Sequence, residues 1–167
     1  DIGILNNRCH LLCLDNFSRG LPKWLNDIKK RDDITILEKD IVKCQEFDSS
    51  DFIIHAASIA SPIFYRKNPI ETMDANVIGF RNLLNFFNEK GCESFLYFST
   101  SEIYGDPDPL NIPTKETYRG FVSCTGPRAC YDESKRYGEA LAVNYWKQFN
   151  FPVKIARPFN NYGPGLK

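Results

Sequence analysis

Short apolar runs alternate along the chain with longer stretches whose apolar residues recur every three or four positions. The short runs predict strands over 8–15, 34–37, 51–57, 94–99 and 153–157. The longer stretches predict helices over 21–30, 68–90 and 129–149. Buried parallel strands read as continuous apolar runs, as Leu11-Leu12-Cys13-Leu14 does. This alternation predicts an α/β fold, a doubly wound parallel sheet of the Rossmann-like kind.

Two of the predicted helices carry an apolar stripe. In 68–90 the stripe is formed by Ile70, Met73, Val77, Phe80, Leu84 and Phe87. Gly91 follows this stretch and is expected to end the helix. In 21–30 we expect Trp24, Leu25 and Ile28 to share the buried side.

Both ends of the chain suggest part of a larger domain. It opens at Asp1 without an initiator methionine and stops at Lys167, just after a Gly-Pro-Gly turn. A first strand and a glycine-rich phosphate loop would precede Asp1, and a substrate part would follow Lys167. We therefore expect residues 1–167 to be a partial dinucleotide-binding domain. Because the first strand of such a sheet is central, residues 1–167 alone are expected to be unstable and inactive.

Composition and charge narrow the class of partner. Lys+Arg and Asp+Glu both number 21, so nothing in the overall charge indicates nucleic acid or an anionic membrane. No apolar run is long enough to span a bilayer. The six cysteines lack metal-site spacing and are expected to be mostly buried free thiols in a reducing, cytoplasmic compartment. Cys9, His10 and Cys13 lie on one predicted strand, whose neighbours face opposite ways, so we predict no metal site.

Chemistry is expected at the carboxyl ends of the strands, where doubly wound sheets bind their ligands. Asp15, Ala57, Thr100 and Pro158 all follow apolar runs. An acid at the end of the second strand of a dinucleotide fold accepts hydrogen bonds from ribose hydroxyls. An aspartate after a strand is also a common turn residue, so position alone leaves both roles open for Asp15.

Tyr131 and Lys135 are four positions apart, so on a helix they share a face. A tyrosine has a pKa near 10 and is a poor base at neutral pH. A cation beside it favours the phenolate and lowers that pKa. Such pairs are also common on ordinary helix surfaces. The hydroxyls of Ser99, Thr100 and Ser101 at the predicted sheet edge favour the catalytic interpretation, in which they hydrogen-bond a substrate oxygen beside the tyrosine.

Four motifs in order give a resemblance that covers nearly the whole chain. They are Asp15, the stretch Ser99–Gly105, the pair Tyr131 and Lys135, and Arg157–Pro164. Together they resemble the extended short-chain dehydrogenase/reductase superfamily of sugar-nucleotide epimerases, dehydratases and decarboxylases. Within it, three stretches are similar to the UDP-glucuronate decarboxylase (UDP-xylose synthase) family: Ala60–Ile70, Thr100–Pro107 and Gly126–Arg136. The chain departs from that family at Ser134, where a glycine is usual, and at Asn161 and Tyr162, where Thr-Phe is commoner.

The resemblance implies a cofactor, NAD, and a UDP-sugar substrate. It implies that Tyr131 takes a proton from the sugar 4-hydroxyl, that Lys135 holds the nicotinamide ribose, and that Thr100 binds the reacting oxygen. Ser101 and Glu102 are implied to lie near the sugar carboxylate and to assist decarboxylation. The remaining implied cofactor contacts are Asp15, Asn16, Phe17, Asp40, Ile41, Ala57 and Pro158. The remaining implied substrate contacts are Tyr65 and Asn160.

Three other interpretations stay open at this point. A 4,6-dehydratase would carry an aspartate as its acid where this chain has Ser101. A 4-epimerase usually has a small or apolar residue where this chain has Glu102. A non-catalytic dinucleotide-binding module would be expected to lack the tyrosine, the lysine or the hydroxyl. The resemblance also implies a homodimer formed through helices 68–90 and 129–149, although the apolar stripes alone do not separate dimer contacts from core packing.

Overall fold

A computed structural model describes residues 9–22 and 24–163. Five strands lie within these residues: β1 (Leu11–Asp15), β2 (Ile34–Glu38), β3 (Phe52–His55), β4 (Ser94–Phe98) and β5 (Val153–Ala156). The helices are α1 (Leu25–Ile28), α2 (Pro62–Lys67), α3 (Pro69–Asp74), α4 (Phe80–Lys90) and α5 (Ala129–Phe149). A π-helical turn, Ala75–Gly79, joins α3 to α4, and the 3-10 turns Ser101–Tyr104 and Pro109–Asn111 follow β4. Arg8, Lys23 and Pro164, which belong to predicted elements or motifs, lie outside the described residues.

The strands form two parallel sheets. β1 pairs with β2, and β3, β4 and β5 pair in that order. These pairings are those of the usual doubly wound order 3-2-1-4-5-6 without its first strand. The predicted α/β class with parallel strands is therefore confirmed, whereas the place of a further central strand stays a prediction.

The core lies between β4 and the helices that cover it. Its fully buried side chains are aromatic and aliphatic: Phe80, Leu84, Phe95, Tyr97 and Ala142. Phe80 stacks on Tyr97 with ring centroids 4.3 Å apart. Because α4 and α5 both contribute to this cluster, the packing of α5 against β4 is fixed by large buried rings.

The apolar stripe predicted for 68–90 is wrong in its first half. Ile70 and Met73 are exposed, and Thr72 and Asn76 are fully buried instead. The π-helical turn contains Asn76, whose Nδ2 donates to Ser134 Oγ on α5 at 2.8 Å. A buried polar group is stable only when it is hydrogen-bonded, and this partner lies far away in sequence. The periodic pattern therefore could not reveal it.

Several other expectations about local structure and burial are not met. The helix predicted over 21–30 is only the four-residue α1, and Trp24 is 57% exposed rather than buried. Helix α2 was not predicted; it begins at Pro62, whose fixed φ suits a first helical position. None of the six cysteines is fully buried, and Cys9 and Cys124 are exposed. Within 9–22 and 24–163, no helix combines the length and apolar character needed to cross a membrane.

Candidate active site

The loop after β4 holds the predicted hydroxyl residues at the carboxyl edge of the sheet. Thr100 is buried, and its Oγ1 accepts a hydrogen bond from Glu102 N at 3.3 Å, which starts the 3-10 turn. Ser101 N donates to the carbonyl of Pro158, after β5, at 3.1 Å. Two neighbouring strand ends are thus tied together, and Thr100, Ser101, Glu102 and Pro158 lie at one edge.

Tyr131 enters this edge from the first turn of α5. It is only 7% exposed, and its ring stacks on that of Tyr65 from α2 with centroids 5.2 Å apart and planes 8° apart. Tyr65 is also buried, and its hydroxyl has no hydrogen-bond partner within the described part of the chain. The structure therefore brings together Tyr65, Tyr131 and Thr100, three residues that the sequence placed in the site.

The pKa of Tyr131 lies above its ordinary value because burial disfavours the phenolate. A polar interaction with the Thr100 side chain opposes this shift, whereas the nearby carboxylates of Glu102 and Asp132 add to it. The expected lowering of this pKa by the lysine is not what the geometry gives, since burial outweighs the other effects.

Lys135 lies one helical turn beyond Tyr131 and is 2% exposed. Its ammonium is 5.9 Å from the centre of the Tyr131 ring and 5.2 Å from that of Tyr97. Lys135 Nζ donates to the carbonyl of Phe98, the last residue of β4, at 2.7 Å. Burial lowers the pKa of Lys135 to about 8. The sheet thus fixes the ammonium on the same side of α5 as the tyrosine.

A charged cluster that sequence reasoning had not assigned lies beside the two tyrosines. Arg128, just before α5, forms an ion pair with Glu102, and its Nε is 3.6 Å from Asp132 Oδ2. Burial raises the pKa of Asp132 to about 6, Arg128 acts against that shift, and Glu102 adds to it. The spacing of Arg128 and Asp132 at the start of a helix was the one available signal.

Two of the residues predicted to contact the cofactor line a depression of about 440 Å³ at the ends of β1 and β2. Its walls include Asn16 and Asp40, together with Glu38 and Lys43. Asp15 is exposed at the end of β1, and its Oδ1 accepts a hydrogen bond from Phe17 N at 2.7 Å, so it is a turn residue. Its second oxygen makes no hydrogen bond within the described part of the chain, so the ribose-binding role stays compatible with the turn.

The other predicted cofactor and substrate contacts in this region differ in how far their side chains are exposed. Ala57 is exposed just beyond β3. Ile41 is 8% exposed, and its side chain packs in the core, so the predicted cofactor contact would fall to its backbone. Asn160 is exposed, and no hydrogen bond joins it to Tyr131 or Thr100 across the ranges described. The place of His55 on an apolar strand predicts a hydrogen-bonded core residue; it is buried, but its Nε2 lacks a partner in the same ranges.

Comparisons with known proteins identify relatives of similar sequence. The chain is 41% identical over 156 residues to UDP-glucuronic acid decarboxylase 1 of Arabidopsis thaliana, covering 93% of this chain and 35% of that protein. It is 40% identical over 153 residues to UDP-glucuronic acid decarboxylase 1 of Xenopus tropicalis, covering 92% and 35%. The chain thus spans about a third of the length of these relatives.

Solved structures show the same fold. The crystal structure of UDP-glucuronic acid 4-epimerase from Bacillus cereus in complex with NAD has a TM-score of 0.79 at 23% identity, covering 98% of this chain and 53% of that one. Residues 4–167 match the model of the NAD dependent epimerase/dehydratase family. This match takes in nearly all of the chain, and the chain belongs to that family.

Proposed function

We propose that the protein containing this chain converts UDP-glucuronate to UDP-xylose by an NAD-dependent decarboxylation. The observation that carries the proposal is the cluster at one sheet edge of Thr100, Tyr131 and Lys135, with Glu102 beside them. The similarity to UDP-glucuronic acid decarboxylases from plants and vertebrates supports the same reaction.

The first step assigned to these residues is removal of a proton from the sugar 4-hydroxyl. Tyr131 takes this proton, and Thr100 holds the same oxygen, since both side chains lie at the end of β4. The ammonium of Lys135, 5.9 Å from the centre of the Tyr131 ring, is assigned to the ribose hydroxyls of the cofactor. NAD held at this edge would supply the hydride acceptor that oxidises carbon 4 and the donor that restores it.

Oxidation at carbon 4 makes the loss of carbon dioxide possible. Glucuronate itself does not readily lose its carboxylate, because the electron pair left on carbon 5 has nowhere to go. A ketone at carbon 4 accepts that pair as an enolate when the bond to the carboxylate carbon breaks. A proton then adds to carbon 5. Ser101 and Glu102 are assigned to the sugar carboxylate, because they directly follow Thr100 in the 3-10 turn.

The residues that would hold NAD fit its chemistry. Asp15 offers an exposed carboxylate oxygen to ribose hydroxyls, and Asn16 and Asp40 line the neighbouring depression. The assigned contacts of Phe17, Ala57 and Pro158 are with the cofactor, and those of Tyr65 and Asn160 are with the substrate. Ile41 could take part only through its backbone, because its side chain is in the core.

The direct test is to incubate the complete natural protein with UDP-glucuronate and NAD, and to follow carbon dioxide release and the sugar product by NMR. We expect UDP-xylose. UDP-galacturonate would indicate a 4-epimerase, and a 4-keto-6-deoxy sugar made from a neutral UDP- or dTDP-sugar would indicate a 4,6-dehydratase.

A tyrosine variant separates an enzyme from a binding module. Tyr131→Phe should lower turnover by about 10²–10⁴-fold, because it removes the group that transfers the proton. Tyr137→Phe, at a 46% exposed position on the same helix, is the matched control and should retain activity. Unchanged turnover in Tyr131→Phe would contradict the assigned chemistry.

We also propose a homodimer formed through the helices of 69–90 and α5. Large apolar side chains are exposed on both: Ile70, Met73, Ile78, Val143, Trp146 and Phe149. Sedimentation of the complete protein as a monomer at micromolar concentration would contradict this proposal.

The six cysteines are all free, which supports a reducing compartment, and we propose the cytoplasm.

A further inference from the structure

Arg128 links the loop after β4 to the beginning of α5. Its carbonyl accepts hydrogen bonds from Tyr131 N at 2.9 Å and Asp132 N at 3.0 Å, so its backbone starts the helix that carries Tyr131. Its guanidinium pairs with Glu102, which lies on the other side of the site opening. One residue therefore connects the proposed base with the carboxylate assigned to decarboxylation.

Asp132 lies on the other side of the guanidinium and is largely buried. Its side chain is 11% exposed, and its Oδ2 is 3.6 Å from Arg128 Nε. Within the described residues, neither Asp132 Oδ1 nor Arg128 Nε makes a hydrogen bond. Burial of a carboxylate is costly unless a cation accompanies it. Arg128 is the cation that acts on Asp132, and the carboxylates of Glu102 and Glu133 oppose its ionisation.

The Arg128–Asp132 ion pair differs from ordinary ion pairs on a helix surface in its burial and in its additional partner. Exposed pairs four residues apart on a helix stabilise it only slightly, and both partners lie in solvent. Here the acid is buried, and the arginine uses a different nitrogen, Nη2, for a third residue on another element. The fork of a guanidinium can hold two carboxylates at fixed positions, which a single ammonium cannot do.

We propose that Arg128 and Asp132 are positioning residues for Glu102: Asp132 fixes the guanidinium of Arg128, and Arg128 fixes the carboxylate that assists the loss of carbon dioxide. This inference rests on the proposed function, in which Glu102 has that role. It adds two residues to the site whose effect is exerted through a third.

The decisive test is a double-variant cycle in the complete natural protein. Displacement of a reacting group by about 1 Å can cost about 100-fold in rate, so Arg128→Met and Glu102→Gln should each slow carbon dioxide release by tenfold to hundredfold. If Arg128 acts through Glu102, the double variant should be no slower than Glu102→Gln alone. Losses that multiply would show that Arg128 acts independently, and would overturn the proposal.

A second measurement separates positioning from a merely structural role. When NADH forms at the normal rate but carbon dioxide release is slow, NADH bound to the enzyme accumulates and its absorbance rises. We expect this accumulation in Arg128→Met and Asp132→Asn. Equal slowing of NADH formation and carbon dioxide release would instead indicate general damage to the site and would contradict the proposal.

Two conservative variants complete the design. Asp132→Asn keeps the size of the side chain and removes its charge, so it should slow carbon dioxide release at least about tenfold. Glu89→Gln, at an exposed acid near the end of α4, is the control and should leave both steps unchanged. Arg128→Lys should restore only part of the rate, because one ammonium cannot hold both acids.

The outcomes also distinguish this inference from the proposed function. If the unmodified protein releases no carbon dioxide from UDP-glucuronate, both are wrong. If it releases carbon dioxide while Asp132→Asn and Arg128→Met match the control, only the positioning roles are wrong.

Discussion

Lys135 keeps an ammonium group in a position that is only 2% exposed. One carbonyl, that of Phe98, accepts a hydrogen bond from it, and the ring of Tyr97 lies below it. These contacts replace water only in part, and the pKa of Lys135 falls to about 8 because burial disfavours the charged form. The residue therefore loses its proton within a pH range that enzymes tolerate.

This titration predicts the alkaline side of the pH–rate profile. If Tyr131 acts as a phenolate and the ammonium of Lys135 is also required, kcat should rise with pH up to about 8 and level off above it. The pKa of Tyr131 is raised above its ordinary value, so above pH 8 the gain in phenolate offsets the loss of ammonium. Lys147→Met, at an exposed position near the other end of α5, should leave the profile unchanged. A rate that keeps rising about tenfold per pH unit between pH 8 and pH 10 would exclude a role for the charge.

The sequence was informative about single residues where chemistry depends on local spacing. Four positions on a helix place Tyr131 and Lys135 on one face. The partner of Lys135, the carbonyl of Phe98, and the partner of Glu102, the side chain of Arg128, are distant in sequence. Such contacts depend on how a strand and a helix meet, so no local pattern predicts them.

At the level of elements, the approach of α5 to β4 sets the position of the catalytic side chains. Gly138 lies where a β-carbon would collide with the hydroxyl of Tyr97, a fully buried residue of β4. The same hydroxyl donates to the carbonyl of Lys135 at 3.4 Å. A glycine is therefore needed at this point for the helix to lie close to the strand.

Gly138→Ala tests this contact. We expect the free energy of unfolding to fall by about 1–3 kcal/mol, as is usual for overpacking, and turnover to fall as α5 moves away from β4. Tyr97→Phe removes the oxygen nearest to the added methyl group and relieves only part of the clash, because the ring carbon Cζ stays 2.6 Å away. The double variant should therefore be less destabilised than the sum of the two single changes. Urea unfolding of the unmodified protein, the two single variants and the double variant measures this difference. Strictly additive losses in the free energy of unfolding would contradict a direct clash with the hydroxyl.

The helix predicted over 68–90 shows which buried residues a pattern of apolar residues cannot identify. Periodic apolar residues identified its extent, and Phe80, Leu84 and Phe87 are buried as the pattern requires. In the preceding turns the buried positions are Thr72 and Asn76. The hydrogen bond from Asn76 Nδ2 to Ser134 satisfies the donor half of the buried amide, whereas Oδ1 has no partner within the described residues. Because such a residue is polar, the sequence pattern assigns it to the surface, although a hydrogen bond to another helix allows it to be buried.

At the level of the whole molecule, alternation of strands and helices was sufficient to predict the fold class. The buried strand also predicts that His55 is a core residue, but not which rings surround it. His55 lies at the end of β3 beside both Phe80 and Tyr97, with ring centroids 5.0 Å and 5.8 Å away. Burial, helped by the charge of Lys135, lowers the pKa of His55 to about 3. The core is therefore stable only while this ring is neutral.

Stability should consequently decrease in acid. The unfolded chain binds a proton at His55 as pH falls below about 6.5, whereas the folded chain does not bind it until about pH 3. Because the unfolded state binds more protons in this interval, this residue should lower the free energy of unfolding by up to ~1.4 kcal/mol for each pH unit. Urea unfolding of the complete protein from pH 7 to pH 4 should show a much weaker dependence in His55→Phe, whose ring can keep the same stacking. His10→Gln, at the other, exposed histidine, should leave the dependence unchanged. An equally steep loss of stability in His55→Phe would mean that acid acts on the carboxylates of the fold rather than on its core.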